Sequence, residues 1–197
     1  MVNQSELLDF IRDKFRWLVK SEAVKITIGN DGRVNVVEVV PGSGSLRCDE
    51  PLPDGMLPFE FGMCKSSLVF DNCGLRSLKG CPRSVQGRFV SLSNNLTNLV
   101  GGPTHVSGRF WIKQHKPLES LDGFPDQVVE YAKLDYSGNL PLLRTLNCMD
   151  GVILSGPDED TNRVMAILET YKGRGQQGAI ACAAELAAAG FKGNARW

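Results

Sequence analysis

Apolar residues follow three different rhythms along this 197-residue chain. Leu7, Leu8, Phe10, Ile11, Phe15, Leu18 and Val19 recur at three- and four-residue intervals, which predicts an N-terminal helix with one buried face; Asn3 and Glu6 have the spacing of a capping box. From Val24 the period changes to two, and VKITI and VNVVEVV flank an Asn-Asp-Gly turn, so this segment reads as a β-hairpin. PGSGSL, 41–46, then reads as a flexible loop. Towards the other end, Val164, Ile167, Leu168 and Tyr171 mark a helical face closed by Gly173, and the alanine-rich GAIACAAELAAAG, 178–190, reads as a second helix.

Between these ends the apolar pattern repeats. LRSLKGCPRSVQGRF from Leu75, LTNLVGGPTHVSGRF from Leu96 and LESLDGFPDQVVEYA from Leu118 share a Leu-x-x-Leu pair followed by Gly-x-Pro. Leu78, Leu99 and Leu121 are 21 and 22 residues apart, as are Pro82, Pro103 and Pro125. Val85, Val106 and Val128 keep the same register, and Gly87 with Gly108 and Phe89 with Phe110 keep it in two copies. A leucine-rich-repeat frame also fits: Leu68, Phe70, Cys73, Leu75 and Leu78; then Phe89, Ser91, Asn94, Leu96 and Leu99; then Phe110, Ile112, His115, Leu118 and Leu121 with one residue inserted. Ala132, Leu134, Ser137, Leu140 and Leu143 form a degenerate fourth copy, and Val152 to Leu154 begins a fifth strand. Each copy supplies a strand, a turn and a return, so the copies are expected to stack into a right-handed parallel solenoid.

The expected fold class is therefore α/β (α+β): a short leucine-rich-repeat-like parallel-strand solenoid, 57–156, between an N-terminal helix and β-hairpin cap, 1–56, and a C-terminal helical cap, 157–197. Terminal repeats need such covers because they otherwise expose core and strand edges.

Composition narrows the chemistry. No run approaches the roughly 20 apolar residues of a membrane helix, and the N-terminal segment interleaves charges with its apolar positions, so a cytoplasmic protein without a membrane partner is expected. The six cysteines lack the short paired spacing of a zinc site and read as reduced, buried residues. No P-loop, dinucleotide fingerprint or EF-hand is present; PDEDTN, 157–162, reads as an acidic helix start. No enzyme, cofactor or metal is expected. Zero net charge conceals an asymmetry: residues 62–117 carry eight Lys and Arg against one acid, and residues 118–160 carry two against nine. Such clustering steers association with charged partners.

The stretch LPFEFGMCKSSLVFDNCGLRSLKGCPRSVQGRFVSLSNNLTNL, from Leu57 to Leu99, resembles the leucine-rich-repeat-like proteins encoded by tailed bacteriophages, in which a helix and hairpin precede an "LPxxFG" start and repeats reading "NxLTSLxGxPxxVxGxF". The closing GFKGNARW, Gly190 to Trp197, resembles endings of phage proteins. The resemblance covers residues 57–140 and implies the fold, a viral origin and the host cytoplasm; the family has no general assigned chemistry. In that family the residues around the repeat Phe are acidic or small and polar, whereas here they are Arg88, Val90 and Leu92, then Arg109, Trp111 and Lys113.

Strand alternation makes these residues the candidate site. If Phe89, Ser91, Phe110 and Ile112 point inward, then Arg88, Val90, Leu92, Arg109, Trp111 and Lys113 point outward, joined by Tyr131 and Lys133. Trp111, Tyr131, Leu92 and Val90 would form an apolar centre flanked by Arg88, Arg109 and Lys113, a composition typical of interface hot spots. The same residues would be internal if a terminal helix folded over them. His115 reads as a turn residue in the position of Cys73, Asn94 and Ser137, and His105 as exposed. The expected partner is a host or anti-phage defence protein with an acidic surface. Nucleic acid is the alternative, since Arg76, Lys79, Arg83 and Lys116 add to the basic set, and a virion or assembly component is a third reading.

Overall fold

The computed structural model describes residues 4–17, 24–38, 44–114, 118–156 and 158–197. Helix α1 (Gln4–Lys14) is followed by strands β1 (Phe15–Trp17), β2 (Val24–Ile28), β3 (Val34–Glu38), β4 (Ser45–Cys48), β5 (Phe61–Cys64) and β6 (Ser67–Asp71). Then come β7 (Ser84–Val85), β8 (Phe89–Asn94), β9 (His105–Val106), β10 (Phe110–Gln114), β11 (Gln127–Val128), β12 (Ala132–Asp135) and β13 (Val152–Ser155), with helices α2 (Glu159–Tyr171) and α3 (Gly175–Ala188) last.

These strands form two sheets that wind as a β-solenoid of about five turns. The main sheet has the order β1-β4-β6-β8-β10-β12-β13, parallel throughout except where β1 joins β4. The second sheet runs β2-β3-β5-β7-β9-β11, and its last three members, β7, β9 and β11, are two residues long. Each turn of chain crosses the second sheet, rounds a corner, runs along the main sheet and returns through the Leu-x-x-Leu segment.

The repeat residues fill one continuous core. Phe70, Phe89 and Phe110 stack along its axis with ring centroids 6.0 and 5.5 Å apart, and Phe15 and Phe124 extend the column at 6.1 and 5.3 Å. Every leucine of the paired positions, Leu75 to Leu143, is buried, as are Pro82, Pro103 and Pro125. Val85, Val106 and Val128 stand in register in the second sheet, each without solvent exposure. Burial of this apolar column is the main favourable contribution to folding.

A ladder of side-chain amides closes the turns after the main strands. Asn94 Oδ1 accepts from the backbone N–H groups of Cys73 and Leu75, and its Nδ2 donates to Phe70 O and Ser91 Oγ. One turn on, Gln114 takes this place. A register shift that skips Ser93 of β8 sets Gln114 opposite Asn94, and Gln114 Oε1 accepts from Leu96 N. His115 itself, with Lys116 and Pro117, lies outside the described residues. At the last turn the amide comes from the far end of the chain: Asn194, fully buried, donates to Ser137 O and Leu140 O and accepts from Tyr136 Oη.

The caps differ from expectation in two places. The N-terminal helix ends at Lys14, and Phe15 belongs to a strand that edges the main sheet; Asn3, Leu18 and Val19 lie outside the described residues. The main sheet begins before residue 57, because β4 pairs in parallel with β6, Leu46 opposite Leu68 and Cys48 opposite Phe70. The hairpin forms as expected, with Gly32 in its turn at φ 76°, and its β3 continues the second sheet through β5. At the C-terminal end, α2 packs against β13, where Met165 Sδ accepts the N–H of Leu154 that no further strand takes up. Asp158 caps this helix by accepting from Thr161 N at 2.9 Å, and its carboxyl lies below the ordinary value because of the hydrogen bonds from Thr161.

Candidate functional site

Parallel pairing in register lines up the outward side chains of the main sheet as rows that cross the strands. The central row is Arg47, Val69, Val90, Trp111, Lys133 and Ile153, on β4, β6, β8, β10, β12 and β13 respectively. Further along the strands, Asp71, Leu92 and Lys113 form a second row. Before the strands begin, Ser67, Arg88, Arg109 and Tyr131 form a third, fixed by the bonds from Leu68 N to Arg88 O, Phe89 N to Arg109 O and Phe110 N to Tyr131 O.

This arrangement brings together all eight candidate residues, but not as one apolar centre. Val90 is only 8% exposed, although it is outside the main core cluster. It is buried on the outer face of the sheet, between Val69 and Trp111, and serves as the floor of the site rather than a contact. Tyr131 sits in the row of arginines, with the Arg109 guanidinium 5.1 Å from its ring centroid. Trp111 is half-buried, and Lys133 Nζ lies 4.9 Å from its ring. Each such cation–π pair is worth roughly 0.5–1 kcal/mol at exposed positions and holds its aromatic ring in one orientation. Leu92 is half-buried beside them, and Arg88, Arg109 and Lys113 are exposed.

The cations differ in what they meet. Arg109 Nε lies 3.0 Å from Glu130 Oε2, and Arg47 bonds Asp71 across the first strands. Among the described residues, Arg88 and Lys113 have no ion-pair partner within 4 Å. The site thus presents a tryptophan ridge over a valine floor, with two cations at its borders, Arg88 and Lys113, outside any ion pair within 4 Å among the described residues.

No protein-family model, curated protein or solved structure matches the chain. What the face can do therefore rests on its own geometry.

Two members of the face were not legible in the repeat: Arg47, whose strand lacks the Leu-x-x-Leu-Gly-x-Pro frame, and Ile153, which is 41% exposed at the last strand. The remaining basic residues lie elsewhere. Arg76 and Lys79 are exposed on the return, and Arg83 precedes β7 of the second sheet. His105 is half-buried in β9, 3.3 Å from Ser107 Oγ, rather than exposed.

All six cysteines are buried free thiols. Burial pushes Cys182 up to about 11 and Cys148 up to about 12, and Cys81 higher still. A thiolate is the reactive form, so these three side chains act in packing. A thiol-specific reagent is expected to leave the folded protein unmodified and to titrate all six after denaturation; rapid labelling of any one in the folded state would contradict this burial.

Among the described residues no helix is long and apolar enough to cross a membrane.

Proposed function

We propose that the chain is a non-enzymatic accessory protein of a tailed bacteriophage, which binds a host or anti-phage defence protein in the host cytoplasm and inhibits it sterically through the outward face of the main sheet. The observation that carries this reading is where the terminal helices sit. Among the described residues, α1 adjoins β1 at one end of the stack, and α2 and α3 gather at the other against β13 and the turn 143–147. Trp111 and Leu92 keep part of their surface, beside Arg88 and Lys113. Partly exposed aromatic and arginine residues over an apolar floor are the composition of binding hot spots. The phage origin is supported by the residues that carry the resemblance, from Leu57 through the Gly-x-Pro repeats.

Trp111→Ala is expected to weaken partner binding by about 2 kcal/mol or more, close to 30-fold in Kd, while costing about 1 kcal/mol of stability. Affinity capture from infected cells with wild-type and variant protein, read by mass spectrometry and followed by a Kd for the captured protein, tests it. Equal recovery of that protein by both forms ends this reading.

The nucleic-acid alternative has less support, because Arg76, Lys79 and Arg83 do not share a face with Arg88, Arg109 and Lys113. It predicts binding to generic DNA or RNA that collapses as salt rises.

A further inference from the structure

The corner that leads from the second sheet into the main sheet holds a groove of about 370 Å³, walled by Gly87, Gly108, Ser67 and the side chains of Arg88, Arg109 and Glu130. Its shape follows from how tightly the turns stack. A Cβ on Gly87 would lie 2.5 Å from Ser67 Oγ, and one on Gly108 would lie 2.9 Å from the Gly87 carbonyl. The glycines leave backbone in place of side chains on the wall, and in the next turn the corresponding position is Glu130, which closes the groove at that end.

The charges in this groove are not explained by folding. Arg88 and Arg109 stand at equivalent positions on neighbouring strands, and like charges directly opposite one another are destabilising. Glu130 compensates Arg109 alone, and the pair Arg109–Tyr131 holds that guanidinium in place. One positive charge in the groove is left over. The central row, with Val69, Val90 and Trp111, begins two residues further along each strand, which is about 7 Å away.

We infer that this groove is a carboxylate subsite, which receives an acidic side chain from an extended segment of the protein partner while an apolar side chain of the same segment rests against Val69 and Trp111, above the Val90 floor. Same-face side chains of an extended chain are also about 7 Å apart, so an acidic residue and a large apolar residue two positions away match the two subsites. An arginine fork suits a planar carboxylate. A nucleic-acid backbone would need a longer track of free cations than Arg88 and Lys113 supply. The inference rests on the binding-face reading above and adds the chemistry of the segment that occupies the face.

The test is an NMR titration of the full chain with the blocked peptide Gly-Glu-Ser-Leu-Gly and with versions carrying Gln for Glu or Ser for Leu. The Glu peptide is expected to shift the side-chain Nε–H signals of Arg88 and Arg109 and the indole N–H of Trp111 saturably. The Gln peptide should bind about tenfold more weakly, as loss of a charge-assisted bond requires. The Ser-for-Leu peptide should keep the arginine shifts and lose the indole shift, and Arg88→Gln should abolish the preference for Glu over Gln. Equal affinity for the Glu and Gln peptides, or arginine signals unmoved at saturation, overturns the inference. So does tighter binding of a short oligothymidylate at the same arginines, which would assign the groove to phosphate. In partner capture, loss of binding with Trp111→Ala but not with Arg88→Gln would defeat the carboxylate subsite and leave the binding face standing.

Discussion

Asn94→Ala is expected to lower the stability of this protein by about 3–5 kcal/mol. The side chain has no solvent exposure, and its two ends close the same turn from opposite directions. Oδ1 takes the N–H of Cys73 at 3.2 Å and of Leu75 at 3.1 Å; Nδ2 reaches Phe70 O at 3.1 Å and Ser91 Oγ at 3.0 Å. Alanine leaves two buried donors and a hydroxyl without these partners. An unpaired buried polar group costs about 1–3 kcal/mol, and two such donors set the scale of the loss. For a chain of this size that is a fall of roughly 10 °C in Tm. Asn95→Ala is the control: Asn95 is exposed, its backbone bond to Leu75 O survives the change, and its effect should stay within about 0.5 kcal/mol. Thermal and urea unfolding of the two variants decides the matter. A loss below about 1 kcal/mol at Asn94 would mean that water takes over its bonds. The consequence extends to the binding face, because Asn94 ties the end of β8 to the preceding turn, and β8 carries Val90 beneath the tryptophan ridge.

That ladder also marks where the sequence stops being informative. The leucine, proline and valine registers were readable because each turn repeats the same contacts at the same chain interval, so the core declares itself by period. The alternation of Phe89, Val90 and Ser91, or of Phe110, Trp111 and Ile112, assigned sides of the sheet correctly for the same reason. It did not assign exposure, because Val90 is covered by its neighbours on adjacent strands rather than by anything in its own segment. The inserted residue after β10 was visible as a length difference, but its location was not. The register shift leaves its extra residue on β8, at Ser93, so Gln114 stands opposite Asn94 and the added length follows Gln114. Phe15 follows Ile11 by four residues, so a helical period includes it although it lies in a strand. Two-residue strands are too short to show alternation, which hid the second sheet. Asn194 is out of reach for any local pattern, since it completes a turn 57 residues away from it in sequence. The two arginines of the groove were legible as outward residues of the GRF repeat, but not the Glu130 that compensates only one of them.

Gly123→Ala is expected to cost about 3–4 kcal/mol, for two reasons that other glycines in the same chain separate. Gly80, Gly101 and Gly123 all follow the second leucine of the repeat by two residues and all have positive φ, at 91°, 85° and 84°. An L-residue there pays about 1–2 kcal/mol for the left-handed backbone. A Cβ on Gly123 would also lie 2.2 Å from Leu99 O and 2.4 Å from its carbonyl carbon, in the turn beneath. That turn cannot move away freely, because Leu99 N donates to Asp122 O at 2.8 Å, and displacing packed backbone adds about 1–3 kcal/mol. Gly74 has the positive φ, 72°, with nothing within 4 Å of a built Cβ, so Gly74→Ala should show the conformational cost alone. Gly138 has open space and no positive φ, so Gly138→Ala should be neutral or slightly stabilising. Losses of unfolding free energy that rise in the order Gly138, Gly74, Gly123 would establish that close stacking of successive turns, beyond backbone conformation, holds glycine in the repeat. If Gly123→Ala costs no more than Gly74→Ala, the turns are not packed at this spacing. The groove at Gly87 and Gly108, built from the same close approach, would then lose its wall.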